Sequence, residues 1–446
     1  MARDLGDRLR QVLGTVPRLA PETRAPEPRA CPAGPGGASP EAAAALGGRL
    51  VEREDGAVIV IERRYPSAAR YGRSRIGDLV DALLGGSDAL ATLARVWPAS
   101  AGARGDALCF VDLETTGLAG GAGTQAFLVG CAVADADGIT VRQFLLPGFE
   151  HERALLAELD AWAPVPHALV TYNGRSFDLP LLETRYLFHR RACPFAERPH
   201  LDMLHAARRL WRSRPAIAGP PLDDDSCRLT VLERHLAGVA RVGDVPGFEI
   251  PSRFFQFVRD GRPEPLAAVV EHNRLDLVSL ALVTARAIGL VQRGPAATAN
   301  ARECLGLGKI FARAGAAENA EACFAHAADL AGRVGREPQV RGEALKWLAW
   351  TRRRAGRLAE AAEAWRAILD TPGCPRALRR EAREALAIHH EHRSRDLESA
   401  RAFVLDVLAD DDEARRADAE HRLRRIERKL QRRVPGGLMA ALDESS

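Results

Sequence analysis

The sequence predicts a mixed α/β sheet flanked by helices, followed by an all-α region of helical repeats. Two observations lead to this prediction. Between residues 49 and 171, short apolar runs separated by turn residues are typical of strands. From residue 297 onward, strand patterns give way to segments rich in Ala, Arg, Glu and Leu that repeat one another. At 446 residues, with 46% hydrophobic content, the chain is long enough for two or three globular domains.

The N-terminal part of the chain combines a flexible pattern with an ordered one. Residues 1–16 have the pattern of a short amphipathic helix. Residues 17–45 are dense in Pro, Ala and Gly, which predicts a flexible linker. Two alternating runs then flank Asp55-Gly56 and predict a β-hairpin. Residues 74–97 have a helical pattern.

The segment 106–292 has the mixed pattern of an α/β domain. Three runs predict successive strands, namely "ALCFVDL", "AFLVGCAVAD" and "ITVRQFLL". A helix over roughly 151–162 follows, and then a short strand, "ALVTYN", before further helices. This order of elements predicts a mixed sheet flanked by helices.

The region after residue 297 contains an internal repeat. Residues 307–327 align with residues 348–368 at an offset of 41, and a weaker third copy, "RDLESARAF", follows. Small residues with one aromatic per unit resemble tetratricopeptide helical hairpins. The alternative is an irregular Ala-rich helical bundle. The matched positions are Gly315 with Gly356, Ala320 with Ala361, and Phe324 with Trp365.

These patterns divide the chain into four predicted segments. They are residues 1–48, an N-terminal helix and flexible linker; 49–105, a hairpin and helices that pack on the following domain; 106–292, the α/β domain; and 297–434, the helical-repeat domain.

Composition argues against several classes of protein. The eight cysteines form no CxxC pair, which disfavours a zinc site or a disulfide scaffold. No stretch reaches 18 uncharged apolar residues, so we expect no membrane span. The N-terminus lacks the apolar core of a signal peptide, so we expect a cytoplasmic protein. A net charge of +4 does not by itself identify a nucleic-acid-binding protein.

Two carboxylates stand at the end of the first strand of the α/β domain. Asp112 and Glu114 are two residues apart in "FVDLETTGL", so they point to the same face of a strand. Two like charges this close cost stability unless a cation lies between them, and a hard divalent ion such as Mg²⁺ prefers oxygen ligands. The alternative is a solvent-exposed strand end with incidental charges.

Two further blocks of sequence add acidic side chains. Asp178 stands at the start of a helix in "YNGRSFDLP", where it could also be a helix cap. His272 and Asp276 are four residues apart in the amphipathic helix "VVEHNRLDLVSLALV" and share one face, where they could also be a surface pair. Asp202 could be an outer metal or substrate residue, or a charge at a helix N-terminus. Together these blocks place four carboxylates and one imidazole on elements able to converge.

The three blocks resemble the motifs of the DEDD superfamily of 3′-to-5′ exonucleases, which has a ribonuclease H-like fold. "FVDLETTGL" resembles the first motif of the proofreading type, and "YNGRSFD" resembles the second. The stretches "HLDMLHAARRLW", "CRLTVLERHLAG" and "DVPGFEIPSRFFQFVRDG" resemble the bacterial YprB-like branch, some members of which carry a tetratricopeptide-like tail. The resemblance spans about residues 50–292, with weaker support to about 405.

The resemblance implies a role for each matched residue. Asp112, Glu114, Asp178 and Asp276 would ligate two divalent ions, Mg²⁺ or Mn²⁺. His272 would be the general base that deprotonates the attacking water. The residues implied to contact the terminal nucleotide are Thr115, Thr116, Gly117 and Leu118, with Asn173 and Phe177 as further substrate or supporting contacts.

The third motif departs from the superfamily pattern. It is Tyr-x3-Asp in one branch and His-x4-Asp in the other, whereas this chain has His272-x3-Asp276. One residue fewer turns a side chain by about 100° on a helix. The water could therefore be held differently and the activity could be weak, with another side chain or the metal alone acting as the base.

The sequence supports two hypotheses. The first is a metal-dependent 3′-to-5′ exonuclease acting on single-stranded DNA or RNA ends, with a helical-repeat module that could bind a protein partner. The second is a nucleic-acid-binding or scaffold protein whose nuclease-like domain cuts weakly or not at all. Residues 414–434 carry nine Lys or Arg. They could contact nucleic acid, or form a solvated helix balanced by nearby acidic residues.

Overall fold

A seven-stranded mixed sheet lies at the centre of the protein, as the apolar runs predicted. The structure, a computed structural model, describes residues 38–94, 108–117, 123–162, 168–212, 227–334, 337–409 and 413–432. The helix predicted over residues 1–16, most of the predicted linker and Leu118 lie outside these ranges.

The described residues contain nine strands. They are β1 (Arg49–Arg53), β2 (Gly56–Pro66), β3 (Arg70–Tyr71), β4 (Ser74–Arg75), β5 (Leu108–Thr115), β6 (Ala126–Asp135), β7 (Gly138–Leu145), β8 (Ala168–Thr171) and β9 (His200–Asp202). Seven of them form the main sheet in the order β1-β2-β7-β6-β5-β8-β9, and β3 pairs with β4. The main sheet is antiparallel except where β5 meets β8 and β8 meets β9, which are parallel pairs.

The same ranges contain sixteen α-helices. They are α1 (Pro40–Ala45), α2 (Ile76–Leu84), α3 (Ser87–Leu93), α4 (Glu152–Trp162), α5 (Asp178–Phe188), α6 (Met203–Leu210), α7 (Leu229–Ala237), α8 (Ile250–Asp260), α9 (Glu264–Arg293), α10 (Ala301–Ala314), α11 (Ala317–Val334), α12 (Pro338–Arg354), α13 (Leu358–Leu369), α14 (Arg376–His389), α15 (Leu397–Leu408) and α16 (Glu413–Gln431).

The predicted hairpin is confirmed, and it extends the central sheet. Strands β1 and β2 pair across the turn at Asp55-Gly56, where Gly56 has a φ of 129°. Strand β2 then pairs with β7 from Ile59 to Pro66. The hairpin therefore continues the sheet of the α/β domain in addition to packing beside it.

The prediction of a linker up to residue 45 is wrong at its end, because Pro40–Ala45 forms helix α1. Ser39 caps this helix by accepting a hydrogen bond of 3.0 Å from the Ala42 amide, and Pro40 occupies the first turn. Ala42 and Ala43 are buried against the sheet. The alanine side chains are small enough to pack closely on the sheet, although the Ala-rich composition of this segment resembles a linker.

Most of the remaining predicted elements are confirmed. The three strand runs are β5, β6 and β7, and the helix expected near 151–162 is α4. Strand β9 was not predicted, because three residues are too few to show an alternating pattern. The helical stretch at 74–97 is divided into α2 and α3 at Gly85 and Gly86. A Cβ at Gly86 would lie 2.7 Å from Ile288, so the glycine permits close packing on α9.

Helix α9 is the central helix of the protein. Together with the short turn that follows it (Glu264–Ala297), it is the one described helix with the length and composition needed to cross a membrane. However, 72% of its most apolar window is buried inside the protein. Its hydropathy is explained by packing against the sheet and the helices around it.

The C-terminal region is helical, with α10 to α16 packing in sequence. The residues matched by the internal repeat occupy equivalent places in successive helical hairpins. Both turn glycines have a left-handed backbone, with φ of 83° at Gly315 and 77° at Gly356. The alanine and aromatic positions are buried in both copies, at Ala320 and Ala361 and at Phe324 and Trp365.

The helical region packs directly on the α/β domain. A Cβ at Gly306 of α10 would lie 2.0 Å from the Arg209 carbonyl of α6, so only glycine allows this approach. The Trp211 indole donates a 2.8 Å hydrogen bond to the buried Glu303 carboxylate. These contacts join the two regions in one hydrophobic core.

The basic helix α16 is anchored by one buried carboxylate. Glu391 accepts hydrogen bonds from Arg422 at 3.1 Å, Arg425 at 2.7 Å and Lys429 at 2.7 Å. Three of the positive charges in this segment therefore stabilise the helical region, which agrees with the interpretation of a helix balanced by acidic residues.

Candidate active site

The first two candidate carboxylates lie on β5. Asp112 and Glu114 are partly exposed on one face of the strand, whereas Val111 and Leu113 are buried on the other. This is the alternation that a strand requires. Glu114 lies beside a β-bulge at the junction with Thr115, where pairing with β6 becomes irregular. A bulge at a strand end commonly redirects side chains near functional sites.

Asp112 is held by a buried amide on α9. The Asn273 Nδ2 donates to Asp112 Oδ2 at 2.8 Å and to the Asp112 carbonyl oxygen at 3.2 Å. The Asn273 Oδ1 in turn accepts from Gln143 Nε2 at 2.8 Å. Opposite Asp112 in the sheet stands Gly130, where a Cβ would lie only 2.2 Å from Asn273 Oδ1. The sequence analysis did not identify Asn273 or Gly130.

Asp178 reaches the site from the first residue of α5. It follows the loop after β8, where a Cβ on Gly174 would lie 2.6 Å from Asp178 Oδ2. Asp202 shapes this loop by accepting hydrogen bonds from the amides of Asn173, at 2.8 Å, and Arg175, at 3.3 Å. It also accepts from the Leu204 amide at 3.1 Å. Asp202 is therefore the cap of α6, the alternative that the sequence left open.

His272 and Asp276 come from α9. The His272 Nδ1 lies 2.6 Å from Asp244 Oδ1, in the loop that connects α7 to α8. The other ring nitrogen, Nε2, lies 3.6 Å from Asp276 Oδ2. When His272 is neutral, a proton on Nδ1 donates to Asp244 and leaves Nε2 free to accept a proton. Sequence reasoning missed Asp244, which lies in a loop without periodic pattern.

A buried arginine lies among these acidic groups. The Arg241 Nη2 is 2.6 Å from Asp276 Oδ1 and 2.8 Å from Glu233 Oε2. Glu233 is fully buried and also accepts a hydrogen bond from Ser279. The side chain of Arg241 is only 4% exposed, so its positive charge belongs to the site and not to the surface. Arg241 was likewise missed by the sequence analysis.

The four carboxylates and His272 line one cleft of about 710 Å³. Thr115, Gly117 and Phe177 also line it, as expected for substrate contacts. Two predicted contacts lie outside the lining. Thr116 accepts a hydrogen bond from the Gln125 amide at 3.0 Å, and Asn173 stands in the preceding loop with a φ of 69°.

Burial and mutual repulsion raise the pKa of the carboxyl groups. Burial is the main cause at Asp112 and Glu114, and the charge of Asp276 is the next. Burial and then the charge of Asp202 raise the pKa of Asp178 to about 7. Burial also raises the pKa of Asp276, although the charge of Arg241 opposes it. Clustered carboxyl groups of this kind would ionise fully only with additional positive charge nearby.

The chemistry of these side chains fits a divalent cation. Four carboxylates offer oxygen ligands, although Asp276 Oδ1 already lies 2.6 Å from Arg241 Nη2. Within that part of the chain, no three His, Cys, Asp or Glu side chains stand close enough to hold an ion as they are arranged. Binding an ion therefore requires the carboxylates to turn toward one another.

Comparison with known proteins assigns the domain that carries the cleft. Residues 109–288 match the model of the RNase H superfamily. The chain is 36% identical over 234 residues to the uncharacterized protein YprB of Bacillus subtilis (strain 168). That match covers 51% of this chain and 52% of the relative, so the chain spans about half the length of the curated relative.

Among solved structures, a family B DNA polymerase from Pyrobaculum calidifontis shares 13% identity over 57% of this chain and 29% of its own length. The TM-score is 0.29, a likeness too slight to bear on the fold. The superfamily match indicates a nucleic-acid-binding domain and suggests nucleic-acid hydrolysis. The mixed sheet, its flanking helices and the matched residues identify the segment 109–288 as a ribonuclease H-like domain.

Proposed function

We propose that the chain is a metal-dependent 3′-to-5′ exonuclease that hydrolyses phosphodiester bonds at single-stranded nucleic-acid ends. One observation carries this proposal. Asp112, Glu114, Asp178 and Asp276 come from three distant stretches of sequence and line one cleft of a ribonuclease H-like domain. Such a concentration of partly buried negative charge is costly for folding and is therefore best explained by function.

The four carboxylates would hold the cations of the reaction, two ions of Mg²⁺ or Mn²⁺. Bound there, such ions supply Lewis acidity toward the phosphate and the attacking water. Asn273 would keep Asp112 in place through its 2.8 Å hydrogen bond. Asp202 would do the same for Asp178 by ordering the preceding loop.

His272 is the proposed general base. Its Nδ1 faces Asp244 at 2.6 Å, which favours the tautomer with an unprotonated Nε2 on the side of Asp276. Nε2 can then accept a proton from a water molecule in the cleft. The short spacing of the third motif is thus compatible with a base, and Asp244 would orient it.

The walls of the cleft suit a strand end without selecting a sequence. Phe177 is 59% exposed and offers a ring on which a terminal base can stack. Thr115 and Gly117 also line the cleft, next to the β-bulge of β5. These contacts read no base edge, so the proposal includes both DNA and RNA ends.

One observation favours a weaker or non-cutting activity. Arg241 already neutralises Asp276, so a cation beside Asp276 would have to compete with a guanidinium. The alternative function is a nucleic-acid-binding or scaffold protein whose domain holds a strand with little hydrolysis.

We also propose that the protein is cytoplasmic, and that its helical region is tetratricopeptide-like and binds a protein partner.

Hydrolysis can be tested with oligonucleotides labelled at the 5′ end. We expect wild type with Mn²⁺ to shorten single-stranded DNA or RNA one nucleotide at a time from the 3′ end. Asp276→Asn should lower the rate by at least a hundredfold, whereas Glu62→Gln, on the far part of the sheet, should keep it. Products that shorten from the 5′ end, or equal rates in Asp276→Asn, would contradict the proposal. Binding of the strand with no cleavage would support the alternative.

A further inference from the structure

A second cavity lies in the helical region, between the C-terminal halves of α10 and α12. Its volume is about 590 Å³. Besides Ala312 and Thr351, its lining consists of aromatic or positively charged side chains, none of which belongs to the acidic cleft. They are Lys309, Arg313, Trp347, Trp350, Arg353 and Arg354.

Two indoles form the apolar wall of this cavity. Trp347 stacks on the buried Phe324, with ring centres 5.7 Å apart and planes at 23°. Trp350 stands edge-on to Trp347 at 5.5 Å and is 39% exposed. Lys346 Nζ covers one face of the Trp350 ring, 4.7 Å from its centre, so a flat ligand would stack on the other face. A large aromatic ring held rigidly by its neighbours loses little entropy when a ligand stacks on it.

The positive charge of the cavity is only partly balanced. Lys309 pairs with Glu343 and Lys346 pairs with Glu381, each at 2.7 Å. Arg313, Arg353 and Arg354 are exposed and have no ion pair with other described residues. Three arginine charges near the two tryptophans are therefore not balanced by a carboxylate among the described residues.

The positive charge continues toward the ribonuclease H-like domain. Arg209 lies at the end of α6 and packs on α10, the helix that carries Arg313: a Cβ on Gly306 of α10 would lie 2.0 Å from the Arg209 carbonyl oxygen. Helix α6 begins directly after Asp202, which orders the loop leading to Asp178. The arginine-rich cavity is thus connected by one short helix to the elements that build the acidic cleft.

Arginine at a helix C-terminus has a simpler explanation, which covers only part of the pattern. The last turn of α12 attracts cations because backbone carbonyls there carry partial negative charge. It accounts for Arg353 and Arg354. It applies equally to Arg313, which lies in the last turn of α10, but it does not account for an exposed indole beside the three arginines.

We propose that this cavity binds single-stranded nucleic acid, with bases stacked on Trp350 and phosphates paired with Arg313, Arg353 and Arg354. Aromatic platforms beside cationic side chains bind single strands without sequence preference, because every base has a stacking face. An acidic peptide would satisfy the arginines and leave the indoles unused. The choice of a nucleic-acid strand as ligand rests on the proposed nuclease function, whose substrate has the same chemistry.

Binding is tested on the full chain in EDTA, where no hydrolysis can occur. The probes are a fluorescein-labelled 20-nucleotide deoxythymidine strand and, as competitor, polyglutamate of equal charge. We expect Trp350→Ala to weaken binding about tenfold, since stacking contributes roughly 1–3 kcal/mol per base. Trp350→Phe keeps an aromatic ring and should retain most of the affinity. It therefore shows whether Trp350→Ala loses affinity through lost stacking or through misfolding. The strand should quench tryptophan fluorescence in wild type, and polyglutamate should not.

Salt dependence tests the arginines. We expect Arg353→Gln/Arg354→Gln to lower the slope of log affinity against log salt by about 1.4, because each phosphate contact on a single strand contributes about 0.7. The control, Arg49→Gln/Arg75→Gln, changes net charge equally on another part of the surface and should leave the slope unchanged.

The inference is overturned if the cavity variants bind the strand like wild type, if both arginine pairs change the slope equally, or if polyglutamate competes as well as DNA. These outcomes are independent of hydrolysis. Cleavage that continues while the cavity variants bind normally would leave the proposed function intact. Binding that depends on the cavity, without any cleavage in Mn²⁺, would support this inference and contradict the proposed nuclease function.

Discussion

Gly130 and Asn273 show how single residues define the candidate site. Asn273 is fully buried and connects Asp112 to Gln143 across two elements. Space for its side chain exists because residue 130, opposite Asp112 in the sheet, has no Cβ. The position of the first carboxylate therefore depends on a glycine on a neighbouring strand.

Gly130→Ala is expected to destabilise the protein by about 1–3 kcal/mol, since a Cβ would lie 2.2 Å from Asn273 Oδ1 and 2.8 Å from Leu277. Urea unfolding followed by circular dichroism measures the change. The control is Gly123→Ala, where no atom of the described residues lies within 4 Å of the added carbon, and it should stay within about 0.5 kcal/mol. Equal effects of the two substitutions would show that Gly130 makes no room for Asn273.

Arg241 gives a second prediction, because it neutralises Glu233 and Asp276 inside the protein. Arg241→Met should lower the unfolding free energy in EDTA by about 3–5 kcal/mol, since it leaves Glu233 buried and unpaired. The double variant Arg241→Met/Glu233→Gln should regain part of that loss. The account of Arg241 is wrong if denaturant titration shows the single variant to be as stable as wild type.

The residues that hold the carboxylates were harder to predict than the carboxylates themselves. Asp112 and Glu114 follow from the two-residue period of a strand, which is local information. Asn273 lies in the stripe of Leu266, Val270 and Leu277 that faces the core, and this polar residue at an apolar position was the available signal. Its hydrogen bond to Asp112 on β5 depends on tertiary packing, which no local sequence pattern predicts.

At the scale of whole elements, local pattern succeeded where an element was long enough. Strands β5, β6 and β7 and the hairpin of β1 and β2 were predicted because alternation and an Asp-Gly turn are strong signals. Helix α1 was missed because a Pro- and Ala-rich composition resembles a linker. The pairing of β2 with β7 could not be predicted, because the sequence of a strand does not show which other strand it pairs with.

The anchoring of helix α16 by Glu391 predicts a pH dependence. Burial acts to raise the pKa of Glu391, but hydrogen bonds from Arg425 and Lys429 outweigh it and hold the pKa at about 2. A lowered carboxyl pKa contributes stability above its unfolded value, near 4.5, and loses it as the pH falls toward 2.

We therefore expect Glu391→Gln to lower the unfolding free energy by about 2 kcal/mol at pH 7, because it removes hydrogen bonds to charged groups. The difference from wild type should shrink at pH 3.5. Chemical denaturation at the two pH values measures it. The control is Glu427→Gln, whose surface pair with Arg401 is 3.6 Å long and should contribute little. A difference that does not depend on pH would argue against Glu391 as a charged anchor.

For the molecule as a whole, helix α9 connects the α/β domain and the helical region, which were predicted as separate segments. It packs on the sheet, supplies His272 and Asp276 to the cleft and Asn273 to hold Asp112, and continues into the helical region. The fold class, a mixed sheet flanked by helices and a helical C-terminal region, could be predicted from strand patterns and repeats. The close junction of the two regions could not, because it depends on a glycine in α10 fitting against the backbone of α6.

The most direct test of the central claim is the thermal stability of the full chain in Mn²⁺ and in EDTA. If Asp112, Glu114, Asp178 and Asp276 hold divalent cations, Mn²⁺ at a hundredfold excess over its Kd should stabilise wild type by about 2.7 kcal/mol, seen as a higher Tm. Asp112→Asn should lose that increase, and the surface variant Glu62→Gln should keep it. A Tm that Mn²⁺ leaves unchanged in wild type, or raises equally in Asp112→Asn, would contradict the account.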